Sequence, residues 1–180
     1  MKAYEWAETL EVERHGELVL DAIFAPEFIV VRATKYHQRQ KMDRFLIKRR
    51  DGRVIHRADY KVDRIASRSG NLPLEHVSVE RNGIREAKGW LHVTIADLVV
   101  FYVPELDTAF VLEIQRLRQA WDDILRLFPV KSTSTPGTRP YRTLNCCVPI
   151  AWLRQQGLIK QELEAVGVQL RLNLTVARKG

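Results

Sequence analysis

Residues 43–79 constrain this chain more than any other stretch, because apolar and polar side chains alternate through it in short arms separated by turn residues. Such alternation is the pattern of a half-buried strand; a helix would repeat its apolar positions at roughly every three to four residues. Three arms are legible, over 41–50, 53–68 and 72–79, the last two joined by the turn Arg68-Ser69-Gly70-Asn71. Between the first two, Arg50-Asp51-Gly52 fits a three-residue hairpin loop with Gly52 in the left-handed position. That loop sets Arg49 against Arg53, and the same register carried inward sets Asp43 opposite Asp59. Lys61, the next residue but one, points to the same face as Asp59. Two carboxylates and an ammonium then meet on one sheet surface. A two-residue loop would set Asp43 against Tyr60 instead and break the cluster, since a slip of one residue turns every side chain over.

Around this stretch the chain alternates between strand and helix patterns. Residues 3–13 read as helical, with Trp6 and Leu10 on one face, and the apolar run in 17–24 suits either a helix or a strand. A short strand is expected over 27–32, after Pro26, and a polar basic connector over 35–41. Residues 80–95 read as a basic loop with a short helix, in which Trp90 anchors the core. The nearly continuous apolar run from Asp97 to Val103 predicts a strand buried on both faces, followed by another over 109–114 and a helix over 115–127. The Ser-, Thr- and Pro-rich segment 131–141 reads as an exposed loop, 145–148 as a strand, and Pro149 as the first turn of a helix reaching Gln156. Residues 168–176 alternate cleanly and form a strand that either extends the sheet or pairs two copies in a homodimer. The expected architecture is one α/β domain spanning 1–180, a mixed central sheet flanked by helices.

Composition narrows the class. A chain of 180 residues with 46% apolar and 28% charged side chains can bury an ordinary core as a single domain. No apolar run approaches the ~20 residues of a membrane helix, so no membrane partner is expected. The acidic, interrupted N-terminal stretch is unlike a secretory signal. Its two cysteines, Cys146 and Cys147, are neighbours, useless as a staple and too few for a zinc site, which makes a reducing cytoplasm the expected compartment. The net charge of +7 is unevenly spread: residues 32–68 hold 13 Lys or Arg against 4 Asp, so the excess positive charge surrounds the acidic cluster. That distribution suits a polyanionic partner.

An Asp followed, after a hairpin, by an Asp-x-Lys strand resembles the motif of the PD-(D/E)XK, or restriction-endonuclease-like, nuclease superfamily. The layout is similar to small phage and prophage members in its ordered pieces: Asp43-Arg44-Phe45-Leu46, Asp59-Tyr60-Lys61, Leu74-Glu75, Gly89-Trp90 and Ala96-Asp97-Leu98-Val99. Leu117-Arg118-Gln119-Ala120-Trp121, Tyr141-Arg142-Thr143 and Val148-Pro149 continue it, so the likeness covers about residues 27–156. It departs from the motif in lacking a proline before Asp43.

The resemblance implies a restriction-endonuclease-like fold and a DNA endonuclease that needs magnesium, with manganese as a substitute. Phosphodiester hydrolysis calls for a cation that neutralises non-bridging oxygens and supplies hydroxide near neutral pH. Magnesium takes hard oxygen ligands and often only one or two protein carboxylates. Asp43 and Asp59 are the expected ligands, with Glu75 as a third acid. Lys61 is expected beside the attacking water, as an electrostatic partner before a general base. Lys35, Arg39, Arg57, Arg68 and Lys88 are the expected phosphate contacts. A rival alignment takes Asp63 as the first acid and Glu75-His76-Val77 as the second strand, which puts Val77 where the lysine belongs and implies a degenerate nuclease. A DNA-binding or assembly protein without catalysis is the alternative function.

Overall fold

The computed structural model describes residues 6–135 and 140–165. The expected hairpin is present as β2 (Arg44–Lys48) and β3 (Val54–Val62), antiparallel, with Gly52 left-handed at φ 66°. A shift between Leu46 and Ile47 absorbs the irregularity of the loop, so Ile47 rather than Lys48 faces Val54. Inside the shift, Arg44 faces Ala58, Phe45 faces Arg57 and Leu46 faces His56, the register that sets Asp43 beside Asp59. The third arm leaves this sheet. A short helix, α3 (Ala66–Ser69), turns the chain into β4 (Asn71–Arg81), which joins a second sheet.

The first sheet has six strands in the order β1-β2-β3-β6-β7-β10, with β1 at Phe28–Arg32, β6 at Leu98–Val103, β7 at Thr108–Glu113 and β10 at Ile159–Glu164. β3 and β6 are parallel and every other pair is antiparallel, so the sheet is mixed. The second sheet is antiparallel in the order β5-β4-β9-β8, with β5 at Ile84–Lys88, β8 at Val130–Thr135 and β9 at Tyr141–Pro149.

Both faces of the first sheet are covered, which explains the apolar run of β6: all six of its residues are buried. On one face Ala58, Tyr60, Val100 and Tyr102 meet Val19, Leu20 and Phe24 of α1 (Trp6–Phe24), which settles the ambiguous run 17–24 as part of one helix. On the other face Val99, Phe101, Phe110 and Leu112 meet Leu72 and Leu74 of β4, Cys146 and Val148 of β9, and Trp90. Leu117, Trp121 and Ile124 close this core from α5 (Ile114–Gln119) and α6 (Trp121–Leu127). The single helix expected over 115–127 is thus two, broken at Ala120 with φ −86° and ψ 0°.

Several other readings are corrected. The connector 35–41 contains a helix, α2 (Lys35–Arg39). Residues 80–95 contain β5 as well as the short helix α4 (Trp90–Val93), with Asn82 and Gly83 both at positive φ in the turn before β5. Asn-Gly is the strongest local hairpin signal, because that turn needs two residues tolerant of positive φ. The loop expected over 131–141 is strand through Thr135, where β9 supplies the backbone partners. Helix α7 (Ile150–Gln155) follows Pro149 as expected, β10 was not expected, and 168–176 lies outside the described residues. Among the described residues, no helix is long and apolar enough to cross a membrane.

Candidate active site

The site is built where β2 stops. Pairing of β2 with β3 ends at Arg44, so the following residues of β3 lack a strand neighbour on that side. Asp43 fills the gap. Its N–H donates to Ala58 O at 2.8 Å, and its Oδ2 accepts the N–H of Tyr60 at 2.9 Å. The carboxylate stands in for the backbone carbonyl that a longer β2 would have offered, and a backbone donor is satisfied.

Alternation along β3 turns Ala58 and Tyr60 toward α1 and Asp59 and Lys61 toward the second sheet. Asp59 is buried, 1% exposed. Lys61 Nζ stands 2.8 Å from Asp59 Oδ2, yet off the line of a hydrogen bond, so that oxygen has charge compensation without a directed donor. Burial pushes the Asp59 carboxyl up to about 7; Lys61 pulls it down and the Asp43 carboxyl pushes it up again. The three side chains converge.

Lys61 links this pair to a cavity of about 230 Å³, where it meets Trp90, Phe101, Glu75 and Asn145. Its ammonium lies 5.7 Å from the centre of the Trp90 ring. Asp43 and Asp59 do not line the cavity. A larger cavity, about 650 Å³, lies beside Arg57 and Asp97. Its charged groups are already engaged: Arg57 is bidentate on Asp97, Glu113 holds Lys160, and Arg118 donates to the carbonyls of Leu91 and Thr94. The smaller cavity is therefore the candidate site.

Glu75 does not join the two aspartates. Its Oε1 accepts the N–H of Trp90 at 3.0 Å and the hydroxyl of Ser78, fixing α4 to β4. Gly89 permits this approach, because a Cβ there would overlap the backbone carbonyl of Glu75. Among the described residues no three His, Cys, Asp or Glu side chains gather as a metal cluster. Asp63 of the rival alignment lines the same cavity as Lys61 and Glu75, its Oδ1 accepting the N–H groups of Ile65 and Ala66 at the start of α3.

A residue missed from sequence is Glu13. Glu13, Glu17 and Asp21 recur every four residues on α1, in one stripe of the helix. Glu17 and Asp21 hold the buried Arg44 at 2.7 and 2.8 Å. One turn earlier, burial raises the Glu13 carboxyl, with Lys61 pulling it down and Glu17 and Asp43 pushing it up. Its carboxylate therefore lies within electrostatic reach of the Asp43–Lys61 cluster. The periodic acidic stripe was the available signal.

Of the expected phosphate contacts, Lys35, Arg39, Arg68 and Lys88 are exposed. Arg57 is exposed as well, with its guanidinium paired to Asp97 at 2.6 Å. The chain matches no family model, no curated protein and no solved structure.

Proposed function

We propose that this protein is a divalent-metal-dependent nuclease of the PD-(D/E)XK type, acting on the phosphodiester bonds of DNA. One observation carries the reading: Asp43, Asp59 and Lys61 converge at the open end of a hairpin, next to a cavity that the lysine reaches. The fit to a hard cation rests on Asp59, buried with its Oδ2 lacking a directed donor and its proton held up to about 7. Asp43 and Asp59 would hold magnesium, which needs only one or two protein carboxylates. When bound, the ion supplies charge neutralisation at the phosphate and acidifies a water.

The chain's own groups do the rest. Lys61 presents a cation at the cavity wall, where charge builds on the phosphoryl oxygens. Trp90 and Phe101 form an apolar wall beside it, which strengthens that attraction by excluding water. Glu75 keeps α4 and Trp90 in place as a positioning residue.

The alternative, a DNA-binding protein without catalysis, is favoured by a specific observation: Asp59 is paired with Lys61, and Asp43 spends one oxygen on the backbone. Incubation of the purified protein with linear and branched DNA, with magnesium, manganese or EDTA, decides between them. Metal-dependent cleavage is expected. Tight DNA binding with no cleavage under any metal selects the alternative.

A further inference from the structure

The hairpin of β8 and β9 is set apart by its charge. No Asp or Glu occurs between Asp123 and Glu162, and within the hairpin the described cations are Lys131 and Arg142, the latter paired with Glu80. Residues Val130 to Ser134 of β8 are all exposed, so this strand adds little to the core. Pairing of β8 with β9 runs without a shift from Val130 opposite Cys146 to Thr135 opposite Tyr141. Along such a ladder, Lys131, Thr133 and Thr135 share one face with Asn145, Thr143 and Tyr141. Asn145 identifies that face: it sits opposite Glu75 and lines the same cavity as Lys61. The other face carries Cys146, buried against α6. The cavity wall therefore continues outward as an amide, an ammonium and a run of hydroxyls. Arg81, which also pairs with Glu86, lies over the Tyr141 ring at its outer end.

We infer that this face binds the sugar-phosphate backbone of a DNA strand and leads it to the cavity beside Lys61. The inference rests on reading that cavity as a phosphodiester site. Lys, Thr, Asn and Tyr side chains are donors to phosphate oxygens, and contacts of this kind position a strand without reading its bases. The face carries no carboxylate on β8 or β9 to repel a polyanion. A second copy of the chain is a poor occupant, because these residues offer no apolar cluster to bury.

The test compares two double variants with equal charge change on one strand. Thr133→Glu with Thr135→Glu puts two carboxylates on the cavity face, and Ser132→Glu with Ser134→Glu puts two on the opposite face. Binding of a fluorescent DNA duplex is followed over a salt series in EDTA, so that cleavage does not intervene. The cavity-face variant should bind at least about tenfold more weakly, the other within about threefold of wild type, and Lys131→Ala should lower the salt slope by about 1. Hydrolysis of bis(p-nitrophenyl) phosphate, a small ester that reaches the cavity without the arm, should be unchanged in the cavity-face variant. Equal weakening by both double variants, or none by the first together with an unchanged slope in Lys131→Ala, overturns the inference. Face-specific loss of binding in a protein that hydrolyses neither DNA nor the ester supports the binding surface and removes the nuclease reading. Wild type that fails to bind DNA overturns both.

Discussion

Asp59 sits where its charge is least favoured, buried and beside a second carboxyl, and its proton affinity records this. Its folded value near 7 lies above the ordinary 3.8, so folding takes up a proton between those pH values. The group therefore costs nothing below about pH 4, and its penalty grows as pH rises through 7, to on the order of a few kcal/mol. The metal-free protein should lose stability from this group between pH 5 and pH 8, and Asp59→Asn should flatten that dependence and stabilise at pH 8. Thermal melts over pH check this, and an unchanged profile in the variant contradicts it. Manganese should raise the melting temperature more at pH 8 than at pH 5, because only the ionised carboxylate binds it. Arg44 behaves oppositely. Its two carboxylate partners hold it charged, well above the usual range, although burial opposes this. Arg44→Met leaves Glu17 and Asp21 facing an apolar surface, and urea unfolding should show a loss of about 3 kcal/mol. A loss below about 1 kcal/mol would mean that water replaces the pair.

At the scale of elements, the hairpin β2–β3 and the early end of β2 create the site, and α4 closes it. Gly89→Ala should force α4 away from β4, breaking the bond from Trp90 N–H to Glu75 and loosening the Lys61 cavity. A drop of about 2 kcal/mol, read as several degrees of melting temperature, is expected, with catalytic loss exceeding it. A stable, fully active variant would mean that α4 is not part of the site. The hairpin and the side shared by Asp43, Asp59 and Lys61 were legible, because alternation is a local signal; the loop was not, since Lys48 rather than Arg49 bonds to Arg53, and the shift between Leu46 and Ile47 restores the inner register. What alternation cannot show is which sheet a strand joins. Residues 72–79 read as a third strand, yet β4 pairs with β9, some seventy residues later, and that placement takes Glu75 out of the acidic pair. The strand at 131–135 was hidden for the same reason, since Ser and Thr between turn residues reveal no partner until β9 is beside them.

For the whole molecule, the +9 excess over residues 32–68 is smaller in space than in sequence. Arg44, Arg57 and Arg64 draw partners from outside that segment, namely Glu17, Asp21, Asp97 and Glu105. Tertiary pairing of this kind could not be read from local charge. The exposed Arg39 and Arg68 remain candidates for DNA, so reversing both should flatten the dependence of log affinity on log salt by roughly 0.9 per lost contact. Arg57→Ala should leave that slope alone, and a slope lowered by Arg57→Ala would place its guanidinium on DNA instead of Asp97. In the proposed nuclease mechanism Lys61 acts on a phosphodiester held next to Asp43 and Asp59. The most direct test of this is cleavage and binding of the same DNA by Lys61→Ala with magnesium, beside a melting curve that confirms the fold. Cleavage should vanish while most affinity survives, because one of many cationic contacts is lost; full activity in the folded variant would contradict the account.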